Sequence, residues 1–263
     1  MDERDRVRPP RSYHRSPADA RRYQRHGVLY MGMIYAALGT AMGGVVPLPV
    51  VAPVIVIAYL RGALLTHELI HVRRPEQVAW MLRMMMLFDT PLGLGYRENQ
   101  SIHLRHHQQA ATEADPEFYQ IRGGPLRAFV AAMLGSELAA AKWVIARGMS
   151  PSLRREATVR ALVMLTLVAA QPLVFLQYWI VIRTTIGVSN FMFHHLLHYR
   201  RGQYGTFCLR LPGPLDASLR LVLGRALAAV LCEHDAHHAW GQVKAERLPG
   251  LLQAYPAPSG GPR

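Results

Sequence analysis

The sequence predicts an all-α fold carried by membrane-spanning helices, and three observations predict it. First, 51% of the 263 residues are hydrophobic, although the chain also carries 30 Lys plus Arg and a formal charge of +13. Mean hydropathy is slightly positive, +0.07. Such values coexist when apolar blocks are segregated from arginine-rich blocks, as in a polytopic membrane protein. Second, four apolar blocks fall into two pairs, and the short turn inside each pair contains no Lys or Arg. Third, eleven of the thirteen histidines lie in four tight groups with helical spacing, and two of those groups continue an apolar block.

Residues 1–26 are polar and arginine-rich, with Pro9, Pro10 and Pro17. They are expected to form a basic cytoplasmic arm, disordered or lying on the surface. The stretch is too long for the basic region of a signal peptide, and a second apolar block follows the first at once, so no cleaved signal is expected. Residues 27–255 are expected to form the main domain. The first block runs from Val28 to Val46 and breaks at Pro47-Leu48-Pro49; the second runs from Val50 through Leu65 and on into His67 and His71. At 1.5 Å per residue, about 20 residues cross a bilayer core of about 30 Å. These blocks predict a helical hairpin with almost no loop. Arg61 interrupts the second block and is placed near the cytoplasmic interface, because an arginine deep in the membrane is costly unless it snorkels or is paired.

No clean span is expected in residues 73–160. Met81 to Leu94 and Leu126 to Ile145 read as amphipathic helices on the membrane or over the site, or equally as helices of a soluble cap. Between them come the second histidine group, Glu113-Ala114-Asp115-Pro116-Glu117 and the turn Gly123-Gly124-Pro125. The third block, Ala161 to Ala170, follows Arg154, Arg155 and Arg160 and is interrupted by Gln171-Pro172. The fourth, Leu173 to Leu197, carries Arg183 at the place that Arg61 holds in the second. A basic segment, Arg200 to Arg210, then precedes a short amphipathic helix expected over Leu219 to Cys232. Residues 256–263 are Pro/Gly-rich and are expected to be a disordered tail.

Charge sets the expected topology. Both turns lack Lys and Arg while the long polar segments are rich in Arg, so the positive-inside rule gives four transmembrane helices as two hairpins. Both termini and all four histidine groups then lie on the cytoplasmic side, in a helical cap. The net positive charge fits a membrane-facing surface; no nucleic-acid-binding signature accompanies it, and no nucleic-acid partner is expected. Two cysteines, Cys208 and Cys232, without a CxxC exclude a zinc ribbon and a disulfide framework. Only Lys142 and Lys244 are lysines among the basic residues, a bias of GC-rich bacterial genomes, which points to a bacterial inner membrane.

The four groups are His67/His71, His103/His106/His107, His194/His195/His198 and His234/His237/His238. Residues three or four apart share a helix face, so two imidazoles can reach one ion. Neutral imidazole suits iron, zinc, copper and nickel. The donors are too many for one tetrahedral zinc. They suit two metals that share them, each with an open position. Few carboxylates stand at ligand spacing, which excludes the Glu/His di-iron site of ferritin-like bundles. A histidine-rich, redox-active two-iron centre at a membrane surface is suited to activating O2. The string His67-Glu68-Leu69-Ile70-His71 is also that of zinc metalloproteases, but here it ends a membrane span and three further groups follow.

In the order and spacing of His67/His71, His103/His106/His107 and His234/His237/His238, the chain resembles the membrane fatty acid desaturase superfamily, over about residues 28–250. That group includes acyl desaturases, lipid hydroxylases, alkane hydroxylases and carotenoid ketolases. The resemblance implies two iron ions held by these eight histidines and His194, with O2 as co-substrate and a membrane lipid as substrate. It also implies a metal-bound water held by Asn190, one turn before His194. His198, one turn further along, is a further candidate ligand, as in some lipid hydroxylases; His195 points about 100° away from His194 on an ideal helix and ranks below both. His67-Glu68-Leu69-Ile70-His71 followed by basic residues resembles the alkane hydroxylases. The short chain and the run from His106 through Asp115-Pro116-Glu117-Phe118 to Gly123-Gly124-Pro125 resemble carotenoid ketolases and small bacterial desaturases. No fused cytochrome segment is present, so electrons are expected from a separate carrier, an acidic ferredoxin-like protein meeting the basic face. Ligand histidines usually give their outer N–H to a carboxylate or carbonyl, and Glu68, Asp115, Glu233 and Asp235 are candidates for that role.

Overall fold

A computed structural model describes residues 8–72, 80, 90 and 92–256. The tail from residue 257 and nearly all of the stretch Met81 to Leu94 lie outside the described residues. The chain is mostly helical, with one two-stranded ribbon in which β1 (Tyr199–Arg200) pairs antiparallel with β2 (Gln203–Tyr204).

Helix α1 spans Pro17–Met42 and therefore runs through the expected boundary at residues 26/27 without a break. Its start is set by local chemistry that outweighs the polar composition. The Ser16 hydroxyl accepts the Asp19 N–H (3.1 Å), the Asp19 carboxylate accepts the Ser16 N–H (3.0 Å), and Pro17 occupies the first helical position. Ala20 and Tyr23 are buried. The segment before α1 is pinned too. Tyr13 C=O accepts the Lys244 N–H, and the Arg15 N–H reaches Gln242 C=O, so the arm lies against residues 242–244. Of the two expectations for the arm, disordered or lying on the surface, these bonds replace disorder for residues 13–15.

A tight turn with Gly44 at φ +71° leads into α2, Leu48–Ile70. Helices α3 (Tyr96–Gln109) and the one-turn α4 (Phe118–Ile121) follow. The expected helix Leu126 to Ile145 is two helices, α5 (Pro125–Met133) and α6 (Gly135–Arg147), bent by 75° at Leu134. Helix α7, Pro151–Ala170, starts ten residues before the predicted block, because Ser150 caps it by accepting the Leu153 N–H and Pro151 is its first residue. Gln171 alone joins it to α8, Pro172–Asn190, which continues as a π-helical turn over Phe191–Leu196. The expected helix Leu219 to Cys232 is α9 (Gly213–Leu223) and α10 (Arg225–Cys232), split by Gly224 at φ +82°, a conformation that side-chain-bearing residues rarely adopt. Helices α11 (His234–Ala239) and α12 (Leu251–Ala254) complete the chain.

Among the described residues, two helices are long and apolar enough to cross a bilayer, α2 and the continuous Pro172–Leu196. The bent pair α5–α6 would make a third if taken as one broken span. The chain is an integral membrane protein. Helices α1 and α7, the other two expected spans, are also helical. However, α1 begins with a polar third and α7 with Arg154, Arg155, Glu156 and Arg160. Helices α1, α2 and α8 pack through Ile34, Leu38, Ile55, Ala58, Tyr178 and Ile182. A second apolar cluster lies towards the histidines, where Leu64, Leu65 and Leu69 of α2 meet Leu227, Val230 and Leu231 of α10. Two arginines tie the layers together. Arg61 donates to the carbonyls of Val222 (2.6 Å) and Leu221 (3.0 Å) at the end of α9. Arg183 of α8 pairs with Glu137 of α6.

Candidate metal centre

Four helical pieces deliver the histidines to one place. His67 and His71 close α2; His103, His106 and His107 lie on α3; His194 is on the π turn and His198 just after it; His234, His237 and His238 lie on α11. One ring nitrogen each from His67, His71, His103, His107 and His237 lies within 4.8 Å of all the others. A second set with the same property is His106, His198 and His238, and a third is His106, Glu117 and His194. His106 joins the last two into one half-site. His234 adjoins it, with its Nε2 3.0 Å from that of His198. The two halves touch where the rings of His107 and His238 stack at 4.1 Å.

Helix geometry explains the division. Adjacent residues on a helix point about 100° apart. Thus His107 and His237 serve the first half, and their neighbours His106 and His238 serve the second. Each His-His doublet straddles the centre. His103 and His107, four apart, share a face and meet His71, whose Nε2 is 3.0 Å from that of His103.

Two histidines are oriented by the protein itself. His106 Nδ1 bonds Asp115 Oδ2 (2.8 Å), and His198 Nδ1 bonds Gly205 C=O (2.9 Å). Each partnership turns the opposite nitrogen, Nε2, towards the site. By contrast, both ring nitrogens of His237 and of His238 are buried without a hydrogen-bond partner, as is Nδ1 of His67, His194 and His234. Buried polar atoms are rarely left so. Nitrogens that converge on each other and on no donor fit bound metal ions.

The electrostatics agree. Burial pushes His103, His107, His198, His234, His237 and His238 well below the usual imidazole range, and neighbouring histidines push the same way. Neutral imidazole is the form that binds metal. His106 is the exception: burial lowers it, but the hydrogen bond it donates to Asp115 and the charges of Glu117 and Asp115 together raise it. Burial, with some help from Asp115, pushes Glu117 up to about 7 against a smaller opposing pull from His106.

Of the carboxylates expected behind the ligands, the structure brings Asp115 to a histidine. Glu68 is fully buried but pairs with Arg15, whose Nη2 is 2.7 Å away. Glu233 faces Arg210, and Asp235 accepts the N–H of Ala236 on its own helix. Glu68 Oε1 also lies 3.8 Å from His67 Nδ1, whereas Glu233 and Asp235 have their partners elsewhere. Asn190 lies beside His194 and donates to Ala132 C=O (3.2 Å); the neighbouring Gly135 is packed so closely that a Cβ would lie 2.9 Å from the Asn190 amide nitrogen. His195 turns away, bonding Ile121 C=O and stacking on Phe191. Glu117, Arg15 and the Gly205 carbonyl were not foreseen. For Glu117 the available signal was its place two residues after Asp115.

A cavity of about 210 Å³ adjoins the second half. Histidines of both halves, His67, His103, His106 and His238, line it together with the apolar side chains of Tyr59, Ala63, Leu64 and Phe193.

The sequence matches the family model described as "Fatty acid desaturase" over residues 44–257. No curated protein and no solved structure matches the chain.

Proposed function

Since the chain belongs to the fatty acid desaturase family, a group of membrane oxidoreductases, we propose that it is an O2-dependent two-iron enzyme that desaturates a lipid acyl chain. One observation carries the reading: a single cavity is lined both by histidines of the cluster and by apolar side chains of α2 and of the turn that continues α8. Such a cavity takes a methylene chain from the bilayer side, and each buried methylene contributes about 0.8 kcal/mol without a charged anchor. His67, His71, His103, His107 and His237 would hold one iron; His106, His194, His198, His234 and His238 would hold the other, with Asn190 beside it. Bound there, the iron pair supplies O2 reduction coupled to C–H cleavage. Loss of two hydrogens from the chain provides two of the four electrons that take O2 to water, and a separate donor provides the other two.

The proposed arrangement in the membrane is four spans as two hairpins, α1–α2 and α7–α8, with the histidine cap and both termini on the cytoplasmic face of a bacterial inner membrane. Support comes from the outer face of α7, which exposes Leu162, Leu165 and Val168; apolar surface of that extent suits lipid. An acidic, ferredoxin-like donor is proposed to dock where Arg105, Lys142 and Arg147 rim a surface cavity that also contains Asp115. Asp115 bonds His106, so this is a short route from a basic surface to the centre.

Hydroxylation of the same class of substrate is the second reading. The observation that favours it is His198, which lies inside the cluster, at the extra ligand position that the sequence resemblance attaches to some lipid hydroxylases. The test is a lipid profile of cells expressing the protein with a ferredoxin and its reductase. New double bonds in acyl chains support the first reading, and new hydroxyl groups the second. Unchanged lipids, with turnover of a water-soluble compound by purified protein, reject both.

A further inference from the structure

Among the residues around the centre, one carboxylate has no conventional partner. Glu117 precedes α4, with its side chain largely buried. Its Oε2 is shut off from solvent without a hydrogen bond. A buried carboxylate is normally stabilised by an Arg or Lys, or by several N–H donors. The other buried acids here obey that rule. Glu68 has Arg15, and Asp115 accepts the N–H groups of Ala111 and Glu117 as well as bonding His106. Around Glu117 the near groups are instead ring nitrogens. Oε1 is 3.7 Å from His194 Nε2, and Oε2 is 3.8 Å from His106 Nδ1. Both distances are too long for hydrogen bonds. They are also longer than the 3.0–3.1 Å between the paired imidazole nitrogens elsewhere in the cluster.

Glu117 Oε1 and His194 Nε2, which converge without bonding each other, are spaced as ligands around a common centre, whereas His106 Nδ1 is taken by Asp115. Two donors each about 2.0–2.2 Å from a first-row metal ion lie about 3–4 Å apart, and 3.7 Å falls in that range. The placement is also built in. The Glu117 N–H donates to Asp115 Oδ1 (2.8 Å) while Asp115 Oδ2 holds His106, so one aspartate fixes both the histidine and the carboxylate two residues on. Glu117 lines the cavity together with His106 and His194.

From this geometry we infer that Glu117 is an oxygen ligand of the second metal, on the side facing the substrate cavity. The centre is then unequal: one ion bound by imidazole nitrogen alone, the other by imidazoles and a carboxylate. This deepens the two-iron reading and rests on it. Among the described residues, no carboxylate joins the five histidines of the first half in such a group.

The test compares wild-type protein with E117Q and E117A, each purified in detergent after growth with 57Fe. Iron per chain is measured during a titration with a chelator, and Mössbauer spectra are recorded. Wild-type protein is expected to hold two irons in two inequivalent sites. In both variants one iron should leave at a chelator concentration at least about ten-fold lower, and the spectrum of that site alone should change. Should the alanine variant misfold, the near-isosteric E117Q decides. Both irons retained in E117Q, with an unchanged chelator curve and spectrum, would overturn the inference and leave the desaturase reading intact. A wild-type chain that takes up fewer than two irons overturns it as well. Two irons with unchanged cellular lipids would instead count against the desaturase reading alone.

Discussion

In the half of the centre formed by His67, His71, His103, His107 and His237, the imidazoles hold one another: His71 to His103 at 3.0 Å, His103 to His107 at 3.1 Å. In the other half, His106 and His198 are held from outside, by Asp115 and by the Gly205 carbonyl. The difference teaches where the order of each half comes from. The outer bonds fix ring orientation and tautomer in the second half whether or not metal is bound. The first half has packing and ring-to-ring contacts, and a bound metal ion would add to its order. Behind it stands the ion pair Arg15–Glu68 at the end of α2, with the Glu68 carboxylate 3.8 Å from His67 Nδ1.

The largest test of this contrast removes a ligand from each half. His67→Ala, His237→Ala and His106→Ala should each abolish lipid oxidation while the protein still inserts in the membrane, because insertion is driven by apolar spans that none of them alters. Activity that survived in any of the three would divide the cluster into a working half and a spectator half. Membrane fractionation and lipid analysis read the result.

Acid should act next most strongly. The depressed histidines stay neutral in the folded, metal-free protein but take up protons in the unfolded chain as pH falls through about 6.5. Unfolding then binds protons, so stability is full above that pH and declines below it, by about 1.4 kcal/mol per pH unit for each such histidine. His106, raised instead of lowered, works in the opposite sense; its contribution is present below the unfolded value and fades as pH rises past its folded one. Thermal melts of metal-free protein at pH 5 and pH 8 should therefore show the lower midpoint at pH 5. Equal midpoints would mean that the cluster is open to water.

A smaller change is expected for Asp115→Asn. It leaves the ligands but weakens the orientation of His106, and losses of about 10–100-fold in metal affinity or activity are typical for such partners. A chelator titration measures it. The smallest effects belong to Glu233→Gln, Asp235→Asn and His26→Ala. Each should leave activity unchanged and stability within about 0.5 kcal/mol, as surface substitutions usually do.

These expectations also show what the sequence could reveal. The histidine groups were legible because ligand spacing on a helix is a local property: i, i+3 and i+4 place side chains together whatever the rest of the chain does. The Asp115 contact lies nine residues from His106 and was within reach of the same reasoning. The partnership of Glu68 was not, since Arg15 lies 53 residues away in sequence and inside a segment that composition marks as disordered. Glu117 was hidden for a different reason. After Asp115-Pro116 it reads as one more turn residue, and only folding shows that its nearest neighbours are ring nitrogens. The π turn at Phe191–Leu196 escaped because an NxxxH spacing assumes a regular α-helix. Helix α7 was hard to read because its apolar surface begins only after two turns of charge.

The bonds between the arm before α1 and the segment after α11 have a consequence for the order of events during synthesis. Arg15 donates to the Gly241 carbonyl, and Tyr13 C=O accepts from the Lys244 N–H. The partners Arg15 and Gly241 lie 226 residues apart in sequence, so the arm is made well before the segment on which it docks. The arm must therefore remain undocked until residues 241–244 are made, by which time helices α1 to α11 have been synthesised. His237 and His238 of α11 are likewise made after all the other histidines, so the cluster is complete only once α11 has been synthesised.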